Sequence, residues 1–156
     1  MIKYLPIIFL FLSGVTVHAQ NILNYSEIKL ETETDYKNAE KHILEAADYI
    51  LSTPFDADDM KRTEAIQFIL AWMEGADGYD FDLSYLDKLD NEVTQKTTYL
   101  TSLVKYMLEN KEKAYDKATI EQGVLGIFFA YCENPQNNIK QTRKLKKLAK
   151  EYKRAR

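Results

Sequence analysis

Aspartates in two short clusters are the first residues whose types could do chemistry in this 156-residue chain. Asp77, Asp80 and Asp82 crowd one stretch, and carboxylate oxygens are the ligands that Ca²⁺ prefers. An EF-hand loop beginning at Asp80 needs Gly and Glu where this chain has Tyr85 and Asn91. The EF-hand pattern therefore fails at two decisive positions. The second cluster consists of Asp56, Asp58 and Asp59. We predict that the aspartates of both clusters cap helices and stabilise turns, and a metal-dependent enzyme is the secondary hypothesis.

Few other side chains suggest catalysis. His42 has only Glu45 nearby and no accompanying pattern of metal ligands. Cys132 lies beside Phe128 and Phe129 in the most apolar segment, which predicts a buried, inert thiol, with an intermolecular disulfide as the alternative. The sequence contains no Gly-x-Ser-x-Gly, no His-Glu-x-x-His and no phosphate-binding glycine loop. We therefore predict no catalytic residue, no metal ligand and no cofactor.

Three aromatic residues lie in or just before the least helical stretch of the chain, residues 75–82. Trp72 precedes this stretch, and Tyr79 and Phe81 lie within it. Such rings line ligand pockets, where a few polar groups set the specificity, and they also close hydrophobic cores. The sequence leaves both interpretations open. Trp72, Tyr79 and Phe81 are therefore candidate binding residues.

Charge is distributed unevenly along the chain. Residues 140–156 carry nine basic residues and one acid, a charge of +8, whereas residues 20–139 carry 11 basic and 23 acidic residues, a charge of −12. A basic helix of this kind could bind anionic lipid or polysaccharide through Lys144, Lys147 and Lys150. Its apolar stripe also suits packing on its own acidic domain. The net charge of −3 argues against a general nucleic-acid binder, so we expect no nucleic-acid partner.

The elements that must position these residues follow a predicted signal peptide, residues 1–19. Lys3 supplies the basic start, residues 5–17 are apolar, and small residues precede a cut before Gln20. This apolar stretch is too short for a membrane span, and no later segment is long enough. We expect an exported protein, periplasmic or secreted, that is monomeric or weakly self-associating. Its expected partner is an envelope protein or an anionic surface.

Apolar residues at spacings of three and four predict five helices in residues 20–156, preceded by an extended or ill-ordered arm over 21–34. The first helix ends near Ser52, because the residue before Pro54 is kept out of the α region. Gly75 is expected just after the second helix, where glycine often ends one. The predicted N-caps are Thr34 or Asp35, Asp56 or Asp58, and Asn137 or Asn138.

The fourth and fifth predicted helices carry the strongest patterns. The fourth, about 115–132, is apolar nearly all round and is expected to be central. Gly123 and Gly126 lower its helix propensity, which indicates that a neighbouring helix packs closely there. The fifth is the basic C-terminal helix 138–155. Short connections make an antiparallel all-α bundle of about five helices, in one domain, the predicted fold.

Two stretches resemble a family of uncharacterised exported helical proteins of Bacteroidetes. The first is Trp72-Met73-Glu74-Gly75 followed by Tyr79-Asp80-Phe81, and the second is Tyr131-Cys132-Glu133-Asn134-Pro135. Members of that family have Gly-Thr-Pro-Asp-Tyr after Trp-Met, where this chain has the more flexible Gly75-Ala76-Asp77-Gly78-Tyr79. The resemblance implies export and a helical fold and supplies no catalytic residue. The prediction is a non-catalytic binding or structural role in the cell envelope.

Overall fold

The computed structural model describes residues 24–111 and 116–155, and every regular element within them is helical. The predicted all-α bundle of about five helices is confirmed. The signal peptide predicted for residues 1–19 lies outside the described residues. No helix of the described ranges combines the length and the apolar character that crossing a bilayer requires. The helices are α1 (Glu33–Ser52), α2 (Met60–Gly75), α3 (Val93–Glu109), α4 (Lys117–Glu133) and α5 (Arg143–Ala155), with 3-10 turns at Tyr25–Glu27, Ser84–Lys88 and Pro135–Asn137.

Helix α1 begins two or three residues earlier than expected. Its N-cap is Thr32, neither Thr34 nor Asp35, because the Thr32 hydroxyl accepts the backbone N–H of Asp35 at 3.2 Å. The Asp35 carboxylate in turn accepts the backbone N–H of Thr32 at 2.9 Å, which completes a reciprocal capping box. Asp35 is therefore the partner of the cap. The end at Ser52, before Thr53 and Pro54, is as predicted.

Helix α2 is capped by Asp59, not by Asp56 or Asp58, and Gly75 is its last residue. The expectation that Gly75 follows the helix is therefore wrong. A Cβ built on Gly75 would lie 2.3 Å from the ring of Tyr36 in α1. Only a residue without a side chain allows α1 and α2 to approach this closely, so packing explains the glycine.

The segment before α1 contains one 3-10 turn, Tyr25–Glu27, which corrects that part of the extended or ill-ordered arm expected over residues 21–34. Tyr25 is buried in the turn Tyr25–Glu27 and stacks on Phe68 of α2 with ring centroids 5.1 Å apart. The Asn24 side chain caps this turn by accepting the backbone N–H of Ser26. The arm is thus part of the α1–α2 core.

Arg62, at the start of α2, is only 3% exposed. Its Nη2 donates to the carbonyl oxygens of Ile50 and Thr53, each 2.7 Å away, at the end of α1. The hydroxyl of Tyr131 in α4 lies 2.8 Å from the same nitrogen and donates to the Thr53 carbonyl. One buried guanidinium therefore joins three helices.

Helix α3 is the central helix, because it packs against α1, α2 and α4. The expectation that α4 is central is wrong, since α4 packs mainly against α3 and α5. The buried face of α3 includes hydroxyl side chains that donate to the carbonyl four residues earlier, which removes the cost of burying them. The hydroxyls of Thr98, Thr101 and Ser102 form these bonds at 2.7–2.8 Å.

Close packing between α3 and α4 confirms the reason given for the α4 glycines. A Cβ on Gly123 would lie 2.0 Å from the ring of Tyr106 in α3. At Gly126 the nearest atom is the Tyr152 hydroxyl of α5, 3.2 Å from the same built position. Gly123 is therefore the tighter of the two positions.

Helix α5 begins at Arg143 and not at residue 138. The Thr142 hydroxyl accepts the backbone N–H of Leu145 at 3.1 Å, so neither Asn137 nor Asn138 caps this helix. Asn138 is instead left-handed, with φ of 56°, and Asn137 is buried with its amide donating to the Tyr131 carbonyl. Both asparagines shape the turn that ends α4 and leave residues 139–142 as a connector.

We expect Gly123→Ala to destabilise the fold although alanine favours helix. Overlap with the Tyr106 ring forces repacking that costs about 1–3 kcal/mol, against roughly 1 kcal/mol gained in helix propensity. Gly126→Ala is the matched control and changes the free energy of unfolding less, because its Cβ meets only one hydroxyl. Urea denaturation of both variants measures the difference. An equal effect at the two positions contradicts the close contact at Gly123.

Candidate functional site

The three candidate aromatic residues come together at the end of α2. The Trp72 ring centroid lies 5.2 Å from that of Tyr79 and 6.0 Å from that of Phe81, and the last two rings stack at 5.8 Å. Trp72 is 1% exposed, and its Nε1 donates to the Tyr36 carbonyl at 2.9 Å. Tyr79 and Phe81 are half-buried. The indole therefore serves the core, and the two loop rings cover it.

Tyr79 also lines a cavity of about 390 Å³ between α1 and the 76–79 loop. Its hydroxyl donates to Glu40 at 2.8 Å, and the other oxygen of Glu40 lies 2.6 Å from Lys111. Glu33 and Lys37 of α1 line the same cavity, so acids and bases alternate around it. Because the lining of this cavity carries both signs of charge, it does not favour a ligand of either sign. We interpret the three rings as closing the core.

The loop aspartates are engaged in separate tasks. Asp82 lies 2.7 Å from Nζ of Lys117 and accepts the backbone N–H of Ser84. Hydrogen bonds from Lys117 and Ser84 hold the pKa of the Asp82 carboxyl well below its usual range. Asp77 and Asp80 are exposed. Among the described residues no three His, Cys, Asp or Glu side chains are arranged to hold a metal ion, so the enzyme hypothesis gains no support.

The second aspartate cluster shapes the start of α2. Asp59 accepts the backbone N–H of Arg62 and also the hydroxyl of Tyr49, at 2.7 Å. Burial and this bond raise the pKa of Tyr49 to about 12, so the phenol remains a donor. Asp56 accepts the backbone N–H of Asp58 at 3.0 Å. These are capping and turn contacts.

The remaining nucleophile and base candidates are not activated. Nδ1 of His42 lies 3.1 Å from Glu45 on the exposed side of α1. Cys132 is 1% exposed, and burial raises the pKa of its thiol to about 12. Because the thiolate is the reactive form, this cysteine is inert at neutral pH. The predicted buried thiol is confirmed.

The basic C-terminal helix is docked on the acidic remainder of the chain. Its buried residues include Tyr152, whose ring centroid lies 5.2 Å from that of Phe129 in α4. Lys153 pairs with Glu133 at 2.6 Å, and Lys140, just before α5, pairs with Glu92. The apolar stripe consists of Leu145, Leu148, Ala149 and Tyr152.

The three candidate lysines of α5 divide into two groups. Nζ of Lys144 donates to the carbonyl oxygens of Leu89 at 2.6 Å and Asp87 at 3.2 Å, and so holds α5 against the turn that precedes α3. Lys147 and Lys150 are exposed on the face opposite the buried residues of α5, and Lys147 forms only a loose surface pair with Glu151 at 3.8 Å. Lys144 is therefore a structural contact, whereas the other two are available to a partner.

Lys147 and Lys150 belong to a longer cationic ridge. Arg143 and Arg154 share their helix face, since spacings of four, three and four residues return to one side of an α-helix. All four side chains are exposed, and the ridge extends about 16 Å along the helix. The two arginines were not among the binding residues predicted from the sequence. Taking the apolar stripe as the inner face and naming the residues opposite it would have found them.

Cys132 should react with a thiol reagent only after unfolding. In native buffer at neutral pH we expect almost no reaction with Ellman's reagent, because the thiol is both buried and protonated. In denaturing urea the single cysteine of the chain should react fully. Fast labelling of the native protein, or a dimer that reducing agent dissociates, contradicts the inert thiol.

Lys144 and Lys147 should differ in their effect on stability. Lys144→Met removes two hydrogen bonds to backbone carbonyls and should lower the free energy of unfolding by about 1 kcal/mol. Lys147→Met, the matched control on the exposed face, should stay within about 0.5 kcal/mol of wild type. Thermal or urea denaturation checks both. Equal stability of the two variants would show that Lys144 does not hold α5.

Comparison with known proteins assigns no role to these surfaces. No protein-family model, no curated protein and no solved structure matches the chain. The resemblance to exported proteins of Bacteroidetes stays a prediction, since nothing in these comparisons bears on it. Function must therefore be inferred from the geometry and charge of the chain itself.

Proposed function

We propose that this protein is an exported, non-catalytic binding protein of the cell envelope that holds an anionic lipid surface through α5. The observation that carries the proposal is the ridge of Arg143, Lys147, Lys150 and Arg154. These four cations occupy the outer face of a helix whose inner face is committed to the protein core. Lys147 also lies 3.8 Å from Glu151, an exposed pair that is weak enough to leave Lys147 open to a partner.

The shape of the ridge favours an extended partner. The four side chains project from a convex helix, whereas a small anion needs a concave site lined with donors. A flat anionic surface can contact all four at once. Each Lys or Arg close to such a surface contributes about 1 kcal/mol. The ridge therefore supports weak, salt-dependent attachment.

Burial of the apolar stripe determines how α5 can bind. Leu145 and Tyr152 pack inside the molecule, so α5 has no apolar face to insert between lipid chains. Attachment would be electrostatic and peripheral, unlike that of a free amphipathic helix. High salt should therefore release the protein completely.

The acidic remainder of the chain favours one orientation. Residues 20–139 carry −12, so the part of the chain outside α5 is on balance repelled by an anionic surface. At physiological ionic strength charges interact over about 8 Å, and the surface then senses mainly the ridge. The division of charge therefore supports binding through one face.

Binding to lipid vesicles tests the proposal. The wild-type protein should cosediment with phosphatidylglycerol vesicles at low salt, not with phosphatidylcholine vesicles, and should be released at high salt. Lys147→Gln/Lys150→Gln should weaken binding roughly thirty-fold, the equivalent of about 1 kcal/mol for each lysine. Both side chains are exposed, so the fold should be unaffected.

Lys29→Gln/Lys41→Gln is the matched control, since it removes the same charge from exposed lysines outside α5. This variant should bind almost as well as wild type. An equal loss in both pairs would indicate a net-charge effect and contradict a role for the ridge. Wild-type protein that ignores phosphatidylglycerol but binds an anionic polysaccharide such as alginate would overturn the lipid assignment.

A further inference from the structure

A second surface, separate from the α5 ridge, lies on the other side of Phe81. It is a cleft of about 500 Å³ between the 80–85 segment, α3 and the start of α4. Its walls are mainly apolar, and this volume lies within the range of small-molecule sites. We call it the Tyr85 cleft. Its lining includes the side chains of Phe81, Tyr85, Tyr99, Met107 and Ile120.

Two tyrosines supply the polar groups of the Tyr85 cleft. Tyr85 and Tyr99 stack with ring centroids 5.1 Å apart, and they are 5% and 3% exposed. The Tyr99 hydroxyl reaches the Asp82 carbonyl at 3.5 Å, the limit of a hydrogen bond. The Tyr85 hydroxyl has no hydrogen-bond partner among the described side chains and backbone. This hydroxyl is not among the fully buried polar atoms that lack a partner, so it is open to solvent, and a bound acceptor can replace water there.

Both phenols are donors at any physiological pH. Burial raises the pKa of Tyr99 to about 12 and the pKa of Tyr85 further still. A protonated phenol offers a hydrogen to a carbonyl or ether oxygen. The polar end of a matching ligand is therefore an acceptor.

The rim of the cleft disfavours anions. Asp80, Asp82 and Glu121 line it with one cation, Lys117, which pairs with Asp82. Glu121 is paired with Lys88 at 3.7 Å, so among the described residues an anionic ligand would meet Asp80 as the one uncompensated carboxylate of the lining. The charge that lines the cleft therefore selects an uncharged ligand over an anionic one.

We propose that the Tyr85 cleft binds a small, mainly apolar, uncharged molecule that accepts a hydrogen bond from Tyr85. The ligand's apolar body lies against Phe81, Met107 and Ile120, and its oxygen faces the tyrosine pair. This site does not depend on α5 or on lipid binding. In addition to binding a lipid surface, the protein would then bind a small molecule at a separate site.

Nile red is the first probe, because it is uncharged, mainly apolar and carries a carbonyl oxygen. Its fluorescence should rise and saturate at one molecule per protein. Anilinonaphthalene sulfonate, an anionic dye of similar character, should bind at least tenfold more weakly. Absence of saturable Nile red binding would overturn the proposal, and so would equal or tighter binding of the anionic dye.

Two variants locate the bound dye. Tyr85→Phe keeps the ring and removes only the unpartnered hydroxyl, so it should fold normally and weaken Nile red about tenfold, the equivalent of one hydrogen bond. Ile120→Phe adds a ring at a half-buried lining position and should abolish binding. The control is Tyr49→Phe, which removes a hydroxyl bonded to Asp59 outside the cleft and should leave dye affinity unchanged.

Each result has a defined meaning. Loss of binding in Ile120→Phe, with circular dichroism like that of wild type, supports occupancy of the cleft. Wild-type affinity in both Ile120→Phe and Tyr85→Phe shows that the dye binds elsewhere and refutes the proposed site. A tenfold loss in Tyr49→Phe shows an indirect effect and refutes the role given to the Tyr85 hydroxyl.

Discussion

The buried guanidinium of Arg62 is the interaction on which the arrangement of helices depends. A charge placed in a protein interior is costly unless polar partners surround it, and Arg62 forms no ion pair with any carboxylate of the described residues. Instead of a carboxylate, carbonyl oxygens at the end of α1 accept its hydrogen bonds. The helix dipole is negative at this end. The chain between α1 and α2 must therefore turn these carbonyls inward. Tyr131 adds a hydroxyl from α4, so the position of α4 is tied to the same charge, although the buried Nε of Arg62 has no partner among the described residues.

Because α5 is docked on the protein, its basic side chains divide into two groups with different roles. Those near the protein, such as Lys144, satisfy carbonyls and hold the helix in place. Those on the outer face, such as Lys150, remain for a partner. The same helix therefore contributes both to the core and to recognition. The Tyr85 cleft lies in the opposite kind of environment, with an apolar interior and an acidic rim. The two proposed sites would not compete for the same ligands.

Local signals in the sequence were enough to predict the helices, because apolar spacing and the effect of Pro54 both act over a few residues. The assembly of Trp72, Tyr79 and Phe81 was predicted for the same reason, since these residues are close in the chain. Arg62 could not be placed in this way. Its partner Tyr131 is 69 residues away, and a charged side chain is ordinarily expected on the surface. The hydroxyls of α3 were likewise missed, because their hydrogen bonds to their own helix do not appear in a hydropathy pattern.

Carboxylates that cap helices make part of the stability of the fold depend on pH. Hydrogen bonds from Thr32 lower the pKa of Asp35, and hydrogen bonds from Thr119 lower the pKa of Asp116. A depressed carboxyl pKa stabilises the fold at neutral pH, and that contribution disappears as pH falls through the folded-state value. The Arg62 junction contains only a guanidinium, carbonyls and a phenol, none of which takes up a proton in this range. Burial raises the pKa of Asp59, the cap of α2, but hydrogen bonds from Tyr49 and from the Arg62 backbone N–H lower it on balance. Acid would therefore loosen the first turns of α1, α2 and α4, so the molecule would fray from its helix starts inward.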